Sequence, residues 1–580
     1  MEAWSWPVCL LLCVSLAGTM GACGSDPAGD AGNDGDTLDT PAEAVDGDVP
    51  DDAAEEEPGT EDAPLPEATD ADDAGGCLEL PDPAPGEVNT ASGPARGTLA
   101  DGAWSWKGIP YAAPPIGDRR WRLPDPFGCW DGVRDGSAYG PLCPQYDDAG
   151  AVVGEEDCLQ LNVWAPLDAP PGSRSVMVYI HGGGHEQGSG TKTMYDGTSL
   201  AAERGVVVVT VNYRLGPFGF LAHPALTAEG GEAASGNYGM HDQLAALRWV
   251  RDNIRGFGGD PSRTLIFGQS AGAVSVCRLV ASPLAAGLFH AAVMHSGGCV
   301  ATPLADAEAL GEGYVTRMGC GDAADVPACL RGLAAGSVMA GFDPAGSGTG
   351  TLGRLNFDGV VDGYALPDAP RALIEAGAHN AVPMIVGSTS EENGRNAPAV
   401  ADEAAFRSAL ATFLGSVSLP AEIVDEVVAL YPVAEYGSWR AAYVAVTSDV
   451  KFTCTARMEA RALAAAGTAP VFRYLFDDVP DRAGGPLLTA GSFHGLDMFY
   501  AFGTLDQLTV TVPAGDQATI DSMQGYWTTL AADGAPGAAG GPDWPRYSST
   551  DERVVVFLDG ATLSPDPRAA PCDFWDALRP

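Results

Sequence analysis

A serine between two glycines, in the segment Gly268-Gln269-Ser270-Ala271-Gly272, has the spacing of a catalytic nucleophile. The apolar, β-branched run TLIF at 264–267 precedes it, and small apolar residues at helical spacing follow it. This pattern predicts a tight strand-to-helix turn, in which glycine-sized neighbours let the backbone close while the serine hydroxyl stays exposed. Because Gly and Ser also mark ordinary loops, the motif alone does not decide the function.

A second chemical motif, His181-Gly182-Gly183-Gly184, follows directly after the apolar run VMVYI. Glycines let the main chain approach a substrate, and their N–H groups can stabilise the negative charge that acyl transfer builds on the substrate oxygen. A strand followed by HGGG is one form of such an oxyanion hole. Gly184 lies 86 residues before Ser270, and the two motifs together indicate acyl transfer at a serine.

The segments around these motifs alternate between strand and helix patterns. Strand candidates are apolar, β-branched runs bounded by turn residues, as is typical of buried parallel strands. They lie at 175–180, 206–212, 291–294, 383–386 and 471–476. Apolar residues at helical spacing predict a helix over Met240–Ile254. The alternation predicts an α/β fold, with a doubly wound, mostly parallel central sheet covered by helices on both faces.

From about residue 95 onwards the chain resembles the type-B carboxylesterase and cholinesterase-like family of α/β-hydrolases. The resemblance rests on many ordered sequence blocks. They are GIPYAAPPIGDRRW at 108–121, EDCLQLNVWAP at 156–166, NYRLGPFGF at 212–220, GNYGMHDQLAALRWVRDNIRGFGGDP at 236–261, FGQSAGAVSV at 267–276, FDGVVDG at 357–363, GSFHGLDMFYAFG at 491–503 and YWTTLAADGAP at 526–536. The resemblance implies the α/β-hydrolase fold and ester hydrolysis.

The resemblance also implies a catalytic triad of Ser270, Glu392 and His494. The family's acid lies in a G-x-x-x-D-E-G loop, which the segment GSTSEENG matches with Glu392 at the catalytic position. The extra Asn393 before the glycine leaves Glu391 as an alternative. His494 matches the histidine of the family's H-G-x-E block, with an Asp in place of the Glu. In these roles Ser270 attacks the carbonyl carbon, His494 carries the proton and Glu392 orients the imidazole.

The resemblance assigns the oxyanion hole to the backbone N–H groups of Gly183, Gly184 and Ala271. The neighbouring His181 and His185 are four residues apart, as zinc ligands often are. They flank a glycine loop, however, and do not belong to an H-E-x-x-H helix, so we expect no zinc site. We predict no metal and no other cofactor.

Three departures from the cholinesterase pattern concern the substrate. Gln269 stands where cholinesterases usually have Glu, which either removes a negative charge beside the triad or reflects packing alone. The loop from Cys143 to Cys158 contains no Trp, so cation–π binding of a quaternary ammonium is not supported. His185 replaces the usual aromatic residue after the glycines. These differences favour a general esterase for uncharged esters, with its acyl-pocket residues in the variable stretch 336–356.

The formal net charge of the 580-residue chain is −46, which argues against nucleic-acid binding because the phosphates would be repelled. Residues 24–76 contain 19 Asp or Glu and no Lys, Arg or aromatic residue. This composition is typical of disordered segments. We therefore predict an acidic disordered linker over residues 23–76 and a hydrolase domain over residues 77–580.

Residues 1–22 have the features of an export signal, although no Lys or Arg precedes the apolar run. The run from Val8 to Ala22 is short for a membrane span and ends in Met-Gly-Ala-Cys. This ending resembles a bacterial lipoprotein processing box, with Cys23 as the lipidated residue. The alternative is cleavage by ordinary signal peptidase, with Cys23 incidental. We predict an exported cell-envelope lipoprotein that contacts the membrane only through its lipid; without the lipid it would be secreted.

Thirteen cysteines fit an exported protein better than a cytosolic enzyme. Ten of them remain when the two in the predicted signal and Cys23 are set aside. The family resemblance implies three disulfides, namely Cys143–Cys158, Cys320–Cys329 and Cys454–Cys572. It also implies a structural ion pair between Arg120 and Glu156. The pairings Cys77–Cys129 and Cys277–Cys299 are possible by elimination only.

The sequence therefore predicts a serine carboxylic-ester hydrolase that acts through an acyl-enzyme on small to medium uncharged esters. The alternative is a catalytically inactive binding or adhesion module of the same fold. Such modules typically lose the serine or the histidine, whereas this chain keeps the triad residues and the glycine loop. The sequence does not select the natural ester, decide between lipase, aryl or alkyl esterase and carbamate hydrolase, or predict the oligomeric state.

Overall fold

The computed structural model describes residues 77–580 with the exception of 232–233, 342–356, 481–489, 509–511, 538–539 and 579–580. The predicted signal, Cys23 and the predicted acidic linker lie outside the described residues, as does most of the stretch predicted to hold the acyl pocket. In the part of the chain that is described, no helix is both long and apolar enough to cross a membrane.

In the part of the chain that the structure describes, eleven strands form one mixed sheet. In spatial order they are β18 (Ala561–Ser564), β17 (Val554–Phe557), β16 (Val471–Phe476), β15 (Met384–Thr389), β12 (Ala291–His295), β11 (Gly259–Gln269), β9 (Arg174–Ile180), β10 (Val207–Val211), β8 (Gln160–Pro166), β4 (Ala103–Pro110) and β3 (Thr98–Ala100). The seven strands from β17 to β10 are mutually parallel, and antiparallel strands extend the sheet at both edges. The predicted mostly parallel central sheet is confirmed.

Three smaller sheets are also present among the described residues. The first contains β1 (Glu87–Thr90), β2 (Gly93–Arg96) and β5 (Arg134–Asp135). In the other two, β6 (Gln145–Tyr146) pairs with β7 (Val152–Val153), and β13 (Thr302–Pro303) pairs with β14 (Val360–Val361).

Helices occupy most of the connections between the strands. They are α1 (Thr198–Arg204), α2 (Gly216–Phe220), α3 (Pro224–Gly230), α4 (Tyr238–Asn253), α5 (Ala271–Ala281), α6 (Leu304–Arg317), α7 (Val326–Arg331), α8 (Ala335–Ala340), α9 (Pro370–Glu375), α10 (Glu403–Ser416), α11 (Val424–Leu430), α12 (Val433–Tyr436), α13 (Trp439–Ser448), α14 (Cys454–Ala466), α15 (Leu496–Phe502), α16 (Ala514–Asp533) and α17 (Ala569–Leu578). A π-helical turn, Asp449–Thr453, joins α13 to α14.

The residues of β9 show that both faces of the sheet are covered. Val176 and Val178 belong to an apolar cluster that includes side chains of α4 and α5. Met177 and Tyr179, which point the opposite way, belong to a second cluster that includes side chains of α15 and α16. Every one of these four side chains is buried, which explains why the strand is apolar without alternation.

One predicted strand is longer than its sequence pattern suggested. The apolar run ends at Val386, but β15 continues through Gly387-Ser388-Thr389 and keeps its parallel pairing with β16 up to Thr389. Backbone hydrogen bonding therefore extends the strand where its side chains turn small and polar. The extension places the acidic segment Glu391-Glu392 just beyond the carboxyl end of the sheet.

Within the described residues, ten cysteines form five disulfides. They are Cys77–Cys129, Cys143–Cys158, Cys277–Cys299, Cys320–Cys329 and Cys454–Cys572. The last one joins α14 to the C-terminal helix α17 over a sequence separation of 118 residues. Disulfides are typical of oxidising compartments, and five in one chain indicate an exported protein.

Arg120 and Glu156 form the ion pair that the resemblance implied. The two contacts are Nε to Oε2 at 2.7 Å and Nη2 to Oε1 at 2.5 Å. Arg120 also donates through Nη1 to the carbonyl oxygen of Leu333 at 2.8 Å. The guanidinium group thus ties the N-terminal block to the segment after α7, which is a structural role.

Candidate active site

Ser270 lies between β11 and α5, in a backbone conformation that few residues adopt. Its φ is 59° and its ψ is −126°, and its N–H donates to the carbonyl oxygen of His295 on β12 at 2.9 Å. A Cβ atom at Gly272 would lie 2.0 Å from the carbonyl oxygen of Ile180, so only glycine allows the helix to start this close to β9. The strained turn presents a half-buried serine hydroxyl at the end of the sheet.

His494 precedes α15 and is hydrogen bonded to Glu392, which follows β15. The Nδ1 atom of His494 faces Oε2 of Glu392 in a close contact. The other carboxylate oxygen, Oε1, accepts the N–H of Thr389 at 2.9 Å. The Glu392 side chain is fully buried, whereas 28% of the His494 side chain is exposed. Because a carboxylate only accepts hydrogen bonds, Nδ1 carries the proton and Nε2 presents a lone pair towards the site.

Glu391, the alternative acid, has different neighbours. Its Oε2 accepts the N–H of Ser492 at 3.0 Å, and its own N–H donates to the carbonyl oxygen of Ser492 at 3.1 Å. Burial raises the pKa of the Glu391 carboxyl. The structure therefore brings Glu392, and not Glu391, to the imidazole of His494.

The hydrogen-bond partner of Nε2 of His494 is the side-chain amide of Gln269. The distance from Nε2 of Gln269 to Nε2 of His494 is 3.0 Å. This orientation agrees with the tautomer, since the amide N–H donates to the lone pair that Glu392 leaves free on the ring. Position 269 thus contacts the ring nitrogen of His494 that Glu392 does not bind. Sequence reasoning found the residue but not this contact.

The glycine loop lies beside the start of α5. Gly183 has a φ of 118°, and a Cβ atom there would lie 2.0 Å from the carbonyl oxygen of Gln187. A hydrogen bond from Tyr213 stabilises the start of the loop, because the Tyr213 hydroxyl donates to the carbonyl oxygen of His181 at 2.8 Å. Ala271 is the first residue of α5, where backbone N–H groups have no partner within the helix. Loop and helix therefore supply N–H groups from two separate elements.

His181 and His185 do not share a ligand position. The ring of His181 stacks on Tyr213 at 4.4 Å, and burial lowers the pKa of His181 to about 3. The ring of His185 lies against Ser275 of α5, with 3.1 Å between Nε2 and Oγ. Within the described residues, no group of three or more His, Cys, Asp or Glu side chains is arranged to hold a metal ion.

Sequence reasoning did not predict a buried hydrogen-bonded cluster around His295 on β12. Nδ1 of His295 lies 2.9 Å from Oδ2 of Asp497, the third residue after His494. The hydroxyl of Tyr474 contacts the same carboxylate oxygen at 3.0 Å, and the indole N–H of Trp527 donates to Nε2 of His295 at 3.0 Å. The signal available in the sequence was the acid three residues after His494.

Phe452 was also missed. It lies in the π-helical turn, and its ring centroid is 4.7 Å from that of His494. Isolated π-helical turns often occur at functional sites because they change which side chains face inward. Here the turn packs an aromatic ring against the imidazole. Burial lowers the pKa of the adjacent Lys451 to about 8.

A nucleophile turn after a central parallel strand, followed in the chain by an acid and then a histidine at the ends of later strands, defines an α/β-hydrolase. Comparison with known proteins assigns the chain to one family of this class. Residues 84–575 match the model of the Carboxylesterase family. The chain belongs to this family of type-B carboxylesterases and cholinesterases, and it is a carboxylic ester hydrolase.

The chain is similar to characterised esterases along most of its length. It is 34% identical over 505 residues to the para-nitrobenzyl esterase of Bacillus subtilis (strain 168), covering 83% of this chain and 96% of that protein. It is 34% identical over 481 residues to the fumonisin B1 esterase of Sphingopyxis macrogoltabida, covering 81% of this chain and 86% of that protein. A solved structure of PNB esterase matches with a TM-score of 0.72 and 33% identity, over 85% of this chain and 100% of that chain.

Proposed function

We propose that this esterase uses Ser270 as nucleophile, His494 as general base and acid, and Glu392 as the residue that orients His494. The observation that carries the proposal is the contact between Nδ1 of His494 and Oε2 of Glu392 beside the strained turn at Ser270. A buried carboxylate at Nδ1 fixes the tautomer whose Nε2 can accept a proton. A base with this tautomer can activate a serine hydroxyl that comes within hydrogen-bond reach of Nε2.

In the first half of the reaction, Oγ of Ser270 forms a bond to the ester carbonyl carbon, and the π electrons move to the carbonyl oxygen. The Ser270 proton passes to Nε2 of His494, which requires that the hydrogen bond from Gln269 be released. The bond from carbon to the alcohol oxygen then breaks, and the leaving alkoxide takes the proton from His494. The products are the free alcohol and an ester between the acyl group and Ser270.

In the second half, a water molecule attacks the acyl carbon and gives one proton to His494. The new tetrahedral intermediate releases the carboxylic acid, and Oγ of Ser270 recovers the proton. In both intermediates the negative oxygen would lie against the N–H groups of Gly183, Gly184 and Ala271. Because these donors are backbone groups at fixed positions, they stabilise the charge without reorganising.

The substrate we propose is an uncharged ester with a small to medium acyl group. Gln269 places a neutral amide where a carboxylate would attract a cationic substrate, and the Cys143–Cys158 loop offers no Trp for a quaternary ammonium. Residues 342–356, within the predicted acyl-pocket stretch, lie outside the described residues. The acyl chain length is therefore a question for kinetics on a series of esters.

Active-site labelling tests the nucleophile. A fluorophosphonate probe should modify Ser270 covalently, and Ser270→Ala should abolish both the labelling and turnover of a p-nitrophenyl ester. Loss of a triad serine lowers kcat by several orders of magnitude, on the order of 10⁴-fold or more. If Ser270→Ala kept turnover close to the wild-type value, the mechanism would be wrong. If the wild-type protein bound esters without hydrolysing them, the inactive binding module would be the better description.

We further propose that the mature chain is anchored to a membrane by lipid on Cys23, with residues 24–76 as a spacer. The support is the Met-Gly-Ala-Cys sequence at the end of an apolar run and the acidic segment that follows it. A flexible chain of this length has a root-mean-square reach of roughly 40 Å, which would hold the enzyme away from the membrane surface. Lipidated protein should partition with membranes, whereas Cys23→Ser should be soluble. A membrane-bound Cys23→Ser variant would exclude this anchor.

A further inference from the structure

His185, which follows the glycine loop directly, is one of the most constrained residues of the molecule. Its side chain is fully buried, and its φ is 60° although it is not a glycine. Its carbonyl oxygen accepts the N–H of Gly216 at 2.6 Å, and its ring lies 4.9 Å from that of Phe220. Backbone strain and the burial of a polar ring both cost free energy, which contacts of the residue must offset. The contacts of His185 therefore indicate its role.

The first contact joins the loop to the nucleophile helix. Nε2 of His185 lies 3.1 Å from Oγ of Ser275, which is four residues, about one helical turn, after Ala271 on α5. The same hydroxyl oxygen accepts an N–H from the side-chain amide of Gln243 at 3.0 Å. Gln243 occupies one of the two acceptor lone pairs of Oγ, and the Ser275 O–H can donate to Nε2 of His185. The donor is oriented by a second, buried residue.

The second contact reaches the same helix through an ion pair. Nδ1 of His185 lies 3.3 Å from Oδ1 of Asp358, and the same carboxylate oxygen contacts Nη2 of Arg278 closely. Arg278 is also on α5, and its Nε donates to the carbonyl oxygen of Val300 at 2.9 Å. Its guanidinium group is almost fully buried. The ring of His185 is thus connected to α5 on both edges, through Ser275 and through Asp358 with Arg278.

The charges of this cluster agree with a neutral ring. Burial lowers the pKa of His185, and the positive Arg278 acts in the same direction, although Asp358 opposes the shift. Burial raises the pKa of the Asp358 carboxyl, but Arg278 and His185 together bring that pKa below its ordinary value. At neutral pH the cluster therefore contains one cation, one anion and a neutral imidazole. Nδ1 of this ring lies 3.3 Å from Oδ1 of Asp358, and Nε2 lies 3.1 Å from Oγ of Ser275.

From this geometry we infer that His185 is a positioning residue of the oxyanion hole. The proposed hole has two halves on separate elements, Gly183 and Gly184 in the loop and Ala271 at the start of α5. Oxyanion donors act only within about 2.7–3.1 Å of the charge, so the distance between the halves must be fixed. A run of three glycines has high backbone freedom and does not fix it alone. His185 supplies the connection between the glycine loop and α5. This inference rests on the proposed function.

The test compares three variants of the full-length protein. His185→Phe keeps an aromatic ring but removes both polar contacts, and His185→Gln keeps an amide that can reach Ser275. His241→Phe is the matched control, because His241 is another buried histidine, stacked on Tyr364 and outside the site. The measurements are kcat and KM on a p-nitrophenyl ester and the affinity of a trifluoromethyl ketone, whose adduct with Ser270 carries the oxyanion.

We expect His185→Phe to lower kcat at least ~10-fold with KM changed less than ~3-fold, since the hole acts on the transition state and not on bound ester. Affinity for the trifluoromethyl ketone should fall by a similar factor. His185→Gln should recover most of both losses, and His241→Phe should have kcat close to the wild-type value. Should His185→Phe fail to fold, Ser275→Ala provides the second test. Like His185→Phe, the Ser275→Ala variant should lower kcat, in this case several-fold, and leave KM unchanged.

The inference is overturned if a folded His185→Phe, or Ser275→Ala in its place, retains wild-type kcat and inhibitor affinity. It is also overturned if His241→Phe loses as much kcat as His185→Phe, because the effect would then be a general loss of packing. These results would leave the proposed function intact. A wild-type protein without Ser270-dependent turnover would instead overturn the proposed function and, with it, this inference.

Discussion

At the scale of single residues, two adjacent glutamates with the same chemistry have different environments. Glu392 contacts Nδ1 of His494, whereas Glu391 accepts the N–H of Ser492 and contributes to the loop that carries His494. A single carboxylate is sufficient to orient an imidazole. The roles of the two acids are therefore separable by the same isosteric substitution at either position.

Glu392→Gln should lower kcat by at least ~100-fold, because an amide at Nδ1 no longer fixes the required tautomer or stabilises the imidazolium. Glu391→Gln should change kcat little, because the amide oxygen can still accept from Ser492. Steady-state kinetics on one neutral ester would measure both, with circular dichroism as the control for folding. The reverse ranking would move the catalytic acid by one residue.

Gln269 gives a second prediction at this scale. Its uncharged amide donates an N–H to Nε2 of His494. A carboxylate at the same place would accept from the imidazolium and attract its charge. Gln269→Glu should therefore stabilise the protonated ring and move the acidic limb of the kcat/KM profile to higher pH. The pH–rate profile of wild type and variant on a neutral ester measures this shift.

A choline ester of equal acyl length is the companion substrate. The neutral Gln269 gives a cation no electrostatic advantage, so the wild-type protein should not prefer the choline ester. In Gln269→Glu, kcat/KM for the choline ester should rise relative to kcat/KM for the neutral ester. Superimposable pH profiles would mean that residue 269 only packs. A strong preference of the wild-type protein for the choline ester would contradict the proposed substrate class.

At the scale of elements, His295 on β12 connects the turn at Ser270 to helix α15, which follows His494. Its carbonyl oxygen accepts a hydrogen bond from the N–H of Ser270, and its ring is hydrogen bonded to Asp497 at the start of α15. Tyr474 on β16 contacts the same carboxylate oxygen. The relative position of Ser270 and His494 is thus set by contacts among β11, β12, β16 and α15.

Removing the carboxylate should disturb both stability and catalysis. Asp497→Ala leaves the buried N–H of His295 and O–H of Tyr474 without their acceptor, which should lower the free energy of unfolding by about 1–3 kcal/mol. We also expect kcat to fall as His494 loses support. Tyr474→Phe keeps the contact between His295 and Asp497, so it should lower both the free energy of unfolding and kcat by less than Asp497→Ala does. Urea unfolding together with kcat measures the effect, and an Asp497→Ala variant indistinguishable from Tyr474→Phe would argue against the connection.

At the scale of the whole molecule, the disulfides differ most in the length of chain that they close. Cys454–Cys572 spans 118 residues and ties the C-terminal helix to α14, whereas Cys320–Cys329 spans only 9. The loss of chain entropy in the unfolded state grows with the logarithm of this length. The two bridges therefore allow a comparison within one protein.

Replacing both cysteines of Cys454–Cys572 by alanine should lower the free energy of unfolding by about 5 kcal/mol, and the same change at Cys320–Cys329 by about 2.6 kcal/mol. Equilibrium unfolding in urea under oxidising conditions measures both values. Equal losses, or a larger loss at the short loop, would show that local contacts and not chain entropy dominate.

The sequence by itself determined the features that depend on neighbouring residues. The nucleophile turn and the glycine loop are each built from consecutive residues, because backbone conformation and close approach require glycine at fixed positions. The parallel strands followed from apolar, β-branched runs, since a strand buried on both faces has no polar side. Element ends were less certain, as the extension of β15 to Thr389 shows, because pairing with β16 depends on another part of the chain.

Only the tertiary structure decided which side chains meet. Gln269 and His494 are 225 positions apart, and His185 and Ser275 are 90 apart. The same holds for which of Glu391 and Glu392 contacts His494, and for the partners of Cys77 and Cys277. Hydrogen bonds and disulfides require distances defined to a fraction of an ångström, and those distances arise only when the sheet and its helices pack together.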